Sequence, residues 1–178
     1  MEHLDAVLEI LSAHASRLGE KLRRGSLGTD HVHVFFHTSE HDQRQPQRSA
    51  SITIRLPEAT SDTLALVAAA KHGAKQVWRE GYRYSKAGSI TADLVPLDRS
   101  QRALIGGMDR ERSGGLMQAL DSCNSRWGRG AVVSAAAGLP QQRSWSTKFE
   151  MRSPRWTTRI DELPSVGGGH PPDRNQSS

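Results

Sequence analysis

A single cysteine, Cys123, in 178 residues excludes an internal disulfide, so no covalent staple holds this fold together. Aromatic residues are scarce, at 5%, which leaves the core to be built mainly from Leu, Ile, Val and Ala. No apolar run approaches the eighteen or so residues that a membrane span needs. The N-terminus also lacks a basic stretch followed by an apolar signal core. These absences lead us to expect a soluble, cytoplasmic chain, with room for one domain with a real core or a small domain plus an appended segment.

Acidic excess is missing too. Lys and Arg number 24 against 19 Asp and Glu, a formal net charge of +5 with a sequence pI near 9.9, and such a balance favours an anionic partner. Residues 1–98 carry 12 basic and 12 acidic side chains, whereas residues 99–163 carry 11 basic and 6 acidic. The basic excess therefore belongs to the second segment, with an expected boundary near Pro96 to Ser100. The end of the chain, VGGGHPPDRNQSS, has too little apolar content to offset chain entropy, and a disordered tail is expected over 165–178.

Apolar positions Leu4, Val7, Leu8, Leu11, Ala15, Leu18 and Leu22 recur at three- and four-residue steps, predicting an amphipathic helix that ends near Gly25. HVHVFFHT at 31–38 alternates, with Val32, Val34 and Phe36 on one side and His31, His33, Phe35 and His37 on the other. SASITIRL at 49–56 repeats the pattern, placing Ile52, Ile54 and Leu56 opposite Ser51, Thr53 and Arg55. The two strands are expected to pair antiparallel. A second helix is expected after Pro57, capped by Thr60 or Ser61 and ended by Gly81, followed by a strand with Ile90, Ala92 and Leu94 on its apolar face and Gly88 as a bulge or bend. The resulting order, α-β-β-α-β, predicts an α+β fold: a small antiparallel sheet with two helices on one face and an open polar face made of the histidine row, Ser51, Thr53 and Arg55, and Ser89 and Thr91. Residues 97–112 read as an exposed linker. A third helix with apolar positions Leu116, Met117, Leu120, Cys123 and Trp127 is expected to be capped from Ser113 and stopped at Gly128 to Gly130, within a small irregular α/β domain.

Two stretches go beyond pattern. WREGYRYSKAG at 78–88 and MRSPRWTTRIDELP at 151–164 resemble the C-terminal region of UmuC-type Y-family translesion DNA polymerases. LMQALDSCNSRWGRGAVVSAAAG at 116–138 is similar to that family's L-M-x-x-x-D-x-x-N-x-R-x-G-x-G segment. The resemblance covers roughly residues 4–164. It implies a little-finger-like DNA-binding domain over 4–96, lacking the family's first strand, and a UmuC-type C-terminal domain over 113–164. It implies no catalytic palm, fingers or thumb in this chain, hence no enzymatic activity of its own, and a place in DNA repair and the SOS response.

Candidate residues follow. Ser51, Thr53 and Arg55 at period two, with Arg83 and Lys86 nearby, supply donors for phosphate oxygens, and the family resemblance tips the balance from a merely solvated strand face to a duplex-DNA surface. Arg152, Arg155 and Arg159 are spaced to line one edge facing DNA or an acidic protein. Gln101, Leu104 and Ile105 stand where the family often carries a sliding-clamp-binding Q-x-x-L-F peptide, and read equally as plain linker. His31, His33, His37 and His41 could gather a metal, but no cysteine joins them and a strand rise of about 3.3 Å per residue keeps the ends of the row some twenty ångströms apart. No metal and no cofactor is expected. Cys123 fits a core position better than a nucleophile, and Trp145, Phe149 and Trp156 fit a satellite core better than base stacking. Rival readings are a protein-only adaptor for the clamp or a recombinase filament, and a split subunit completing a separate polymerase chain.

Overall fold

The computed structural model describes residues 3–41, 44, 46–104, 107, 109–138 and 145. Helix α1 (Leu4–Arg24) leads through a turn at Ser26, whose φ is +54°, into strand β1 (Leu27–Thr38) and then β2 (Ser49–Thr60). Helix α2 (Thr63–Val77), strand β3 (Tyr84–Thr91) and the two-residue β4 (Val95–Pro96) follow, then a 3₁₀ turn at Leu97–Arg99, helix α3 (Arg110–Trp127) and a 3₁₀ turn at Ala135–Ala137. The α+β class, the α-β-β-α-β order and the antiparallel pairing of β1 with β2 are as the periodicity predicted. The main sheet runs β2-β1-β3, with β4 pairing the start of β1. Among the described residues no helix is long and apolar enough to cross a membrane.

Val32, Val34 and Phe36 on central strand β1 are fully buried, and α1 and α2 cover them with Val7, Leu11 and Leu66. Helix α2 comes close because Gly73 has no side chain: a Cβ there would sit 3.0 Å from both Ile52 and Ile54. The few aromatics concentrate at one end of this layer. Tyr84 meets Phe36 edge-on at 4.7 Å and Trp78 at 5.0 Å, and its hydroxyl donates to the Arg79 carbonyl. A ring whose one polar atom reaches an acceptor is buried without an unsatisfied donor.

Several boundaries differ from expectation, each for a local reason. Strand β1 begins at Leu27, four residues early, because Leu27 and Gly28 find partners in Pro96 and Val95. Strand β2 runs through Pro57 to Thr60; it is an edge strand of the main sheet, where a residue without an N–H is tolerated. The cap of α2 is Asp62, not Thr60 or Ser61, since its Oδ1 accepts from the N–H groups of Leu64 (2.6 Å) and Ala65 (3.0 Å). The helix stops at Val77, before Gly81.

The face assignment of β3 is reversed. Tyr84 pairs with Thr38 and Lys86 with the adjacent His37, so one extra residue bulges out of β3 at Ser85 and not at Gly88. Beyond that bulge Ala87, Ser89 and Thr91 lie opposite Phe36, Val34 and Val32 on the helix side, while Lys86, Gly88 and Ile90 join the open face. Ile90 is 54% exposed and Leu94 46%. Ser89 and Thr91 therefore leave the open face, and Ser89 Oγ is buried without a hydrogen-bond partner among the described residues.

Helix α3 follows its apolar stripe only in part, at Met117, Leu120 and Cys123. It starts at Arg110, capped by Asp109, whose carboxylate accepts from Arg112 N–H. Ser113 is not the cap; its hydroxyl donates to Asp62. Leu116 and Trp127 are exposed, and Met117 is the buried residue of the helix. The docked face is Arg110, Ser113, Met117 and Asp121, one side of a helix at three- and four-residue steps. Asn124 closes the following loop by bonding both N–H and carbonyl of Val132, and positive φ at Gly128 and Gly130 permits the reversal. Residues Met1–Trp145 form one compact unit, and residues 146–178 lie outside the described residues.

Candidate nucleic-acid interface

With helices on one side only, the other side of the sheet is open. Register sets three rows there: His31, His33, Phe35 and His37 on β1 in the middle; Arg55, Thr53 and Ser51 opposite the first three on β2; and Ile90, Gly88 and Lys86 opposite the last three on β3. Ser51, Thr53, Arg55 and Lys86 are all exposed. The structure thus brings four of the expected phosphate donors onto one face. Arg83 is exposed but precedes β3, outside the paired register. Arg152, Arg155 and Arg159 lie outside the described residues, as do Phe149 and Trp156.

The middle row is ordered by its own rings. His33, Phe35 and His37 are near-parallel, with centroids 6.3 and 6.1 Å apart. Phe35 reaches over β3, where Gly88 makes room: a Cβ on Gly88 would lie 2.6 Å from the ring. His33 Nδ1 shares a hydrogen bond of 3.0 Å with Thr53 Oγ1. Charge is uneven along the row. Asp30 holds His31 Nδ1 at 2.7 Å and Arg55 Nε at 3.5 Å, and Asp93 stands 3.9 Å from His31, so the carboxylates gather at that end. Lys86, at the other end, has no ion-pair partner among the described residues. Alternating donors on a pleated surface, hydroxyl beside guanidinium or ammonium, suit a row of phosphate oxygens and carry no base-reading geometry.

Among the described residues no three His, Cys, Asp or Glu side chains come together as a metal site. Cys123 is half-buried. Trp145 donates its indole N–H to Glu9 and meets His14 edge-on, so it packs on α1.

One ionic contact that sequence patterning missed fixes the surroundings. Glu58, with its side chain 2% exposed, accepts from the Ala103 N–H at 3.0 Å and from Arg110 Nε at 3.3 Å. Arg110 also donates to Ser100 Oγ and to the carbonyls of Ala59 and Gln101. The segment read as a linker is consequently tied down at 100–103, while Leu104 next to it is 98% exposed. Gln101 is exposed, and Ile105 lies outside the described residues. The signal for this lock is a lone acid at the end of a strand, which no periodicity marks.

Comparison with known proteins places this sheet. Residues 1–104 match the model described as the impB/mucB/samB family C-terminal domain, more than half of the chain. The chain belongs to the impB/mucB/samB family. Residues 115–166 match a domain of unknown function (DUF4113). Similar proteins of Salmonella typhimurium include protein SamB (35% identical, over 91% of this chain and 38% of SamB), protein ImpB (35%, over 90% and 37%) and protein UmuC (34%, over 85% and 36%). The chain spans less than two fifths of the length of these curated relatives, and the family region it matches is their C-terminal one. No solved structure matches. For this member of the impB/mucB/samB family, the open face belongs to the region 1–104 and the docked helix α3 falls mostly within the matched region that follows.

Proposed function

We propose that this chain is the DNA-gripping C-terminal part of an error-prone translesion DNA polymerase acting in DNA repair, and that it holds duplex DNA through backbone contacts from the open sheet face. The observation that carries the reading is the alignment of Ser51, Thr53, Arg55 and Lys86 on the uncovered side of a sheet whose other side is sealed by helices. Family membership supports a DNA partner. The contribution is to position DNA; bond formation belongs to residues other than these.

Two fixed cations on the face, Arg55 and Lys86, correspond to about two neutralised phosphates and a log–log salt slope near −1.8. Affinity for a fluorescent duplex of arbitrary sequence is expected to fall roughly twelvefold between 50 and 200 mM salt, by the same relation. In Arg55→Ala/Lys86→Ala most of that slope disappears, while a second duplex of unrelated sequence binds the native chain equally well. Absence of binding at 50 mM salt, or an unchanged slope in the double variant, refutes the reading.

A second contact is favoured by the Glu58–Arg110 lock, which fixes residues 100–103 and leaves Leu104 projecting into solvent. Gln101, Leu104 and Ile105 form a recruitment peptide for a sliding clamp: one amide hydrogen bond and two apolar anchors entering a groove. Leu104→Ala is expected to abolish clamp binding by the full chain in calorimetry, and equal affinity in the variant would remove this contact from the proposal.

A further inference from the structure

We propose that His33 and His37 are themselves phosphate ligands on the sheet face, and that DNA binding is consequently proton-coupled, each imidazole taking up a proton as a phosphate arrives beside it. The inference rests on the DNA-backbone reading above and adds two ligands and a condition to it.

Both rings project from the open side of the central strand, between the hydroxyl row of β2 and Lys86 of β3. His33 spends Nδ1 on Thr53 and has Nε2 without a partner among the described residues; the His37 ring makes no hydrogen bond among them. Stacking on Phe35 fixes where both rings stand.

The groups that face them decide what protonation does. His33 lies between Thr53 and Ile90, with Arg55 further along β2; His37 lies between Ser49 and Lys86. Neither has a carboxylate beside it in register. The carboxylates of this face, Asp30 and Asp93, stand at His31, and Asp30 also engages Arg55. Glu40 follows β1 in the loop beyond Thr38. His31 therefore already faces two carboxylates of the protein itself and is left out of the inference. Among the described residues neither His33 nor His37 has an ion-pair partner, and Lys86 stands opposite His37. A phosphate supplies the missing anion, and an imidazole beside an opposite charge holds its proton to higher pH. Binding and proton uptake must then favour each other, by linkage.

The test is anisotropy of the full chain with a labelled duplex at constant 50 mM salt, from pH 8.0 to 5.5. Each proton taken up contributes up to about tenfold in affinity per pH unit, so binding is expected to tighten more than tenfold across that range. His33→Gln/His37→Gln is expected to lose most of the pH response, whereas His72→Gln, on helix α2, keeps all of it together with the pH 8 affinity. Each single variant is expected to lose part of the response, which serves if the double variant folds poorly. Calorimetry of the native chain near pH 7 in two buffers of different ionisation heat is expected to show net proton uptake. Binding that is present but flat with pH, zero proton uptake, or a pH response unaltered in the histidine variants overturns the inference and leaves the DNA reading standing. No binding at any pH overturns both.

Discussion

Helix α3 is fastened by charge, and Asp121→Ala is the perturbation that measures it. Arg23 donates to both oxygens of Asp121, each at 2.7 Å, and turns its remaining nitrogen to the Ser61 carbonyl at 2.8 Å and Thr63 Oγ1 at 2.9 Å. One guanidinium thus joins the end of α1, the start of α2 and the middle of α3. Its side chain is 12% exposed and that of Asp121 35%. Two charge-assisted bonds in the dry would contribute about 1.5–3 kcal/mol each; the exposure of Asp121 and the partners that Arg23 retains reduce the cost of losing them to about 2 kcal/mol in total. With a urea slope of about 1.5 kcal/mol/M, the midpoint for the full chain falls by roughly 1.3 M. Circular dichroism across a urea series reads this directly. A cycle with Arg23→Met separates the pair from its surroundings, because the double variant leaves no orphaned charge and is expected to recover about half of the loss. A shift below about 0.3 M for Asp121→Ala, or a coupling energy near zero, would show that α3 is held by Met117 and its neighbours and that the ionic account is wrong.

Two further perturbations test the packing. Burial, and to a smaller extent the charge of Arg17, holds the His14 imidazole below its ordinary titration range. The unfolded chain accordingly binds a proton that the folded chain resists, so this contribution to stability is complete above about pH 6.5 and is lost as pH falls from there toward the lowered native value; melting temperatures from pH 7.5 to 5 are expected to decline less in His14→Gln, and parallel curves would refute it. Ser89→Ala removes a buried hydroxyl that has no partner among the described residues and is expected to stabilise the chain by about 1 kcal/mol in urea, a destabilisation counting against the reversed face of β3.

The legible parts of this fold were those where one periodicity ran unbroken. Val32, Val34 and Phe36 alternate with His31, His33, Phe35 and His37 without interruption, so the buried and open sides of β1 followed from spacing alone, as did Ser51, Thr53 and Arg55 on β2. β3 carries a bulge at Ser85. Alternation read from Ile90, Ala92 and Leu94 assigned the wrong face, because a strand with a fixed neighbour keeps its register with β1 and lets the exposed apolar residues fall where they must. Lys86 reached the open face through that bulge. His33 and His37 were visible as a row, but a histidine's worth as an anion ligand depends on which carboxylates stand beside it, and those come from a strand-end bulge at Thr29 to His31 and from Asp93 across the sheet.

By itself the sequence determined the two amphipathic helices, the alternating strands and the class of fold, because apolar periodicity is a local property that burial on one side enforces residue by residue. Only the tertiary structure decided how α3 docks. Of its apolar stripe Met117 is buried while Leu116 and Trp127 are exposed, and the helix is anchored by Arg110 on Glu58 and Asp121 on Arg23, partners 52 and 98 residues away. Charge pairing at such separation leaves no periodic trace, and it outweighs a short apolar stripe when one partner of each pair, Glu58 buried and Arg23 mostly so, would otherwise be left unmatched.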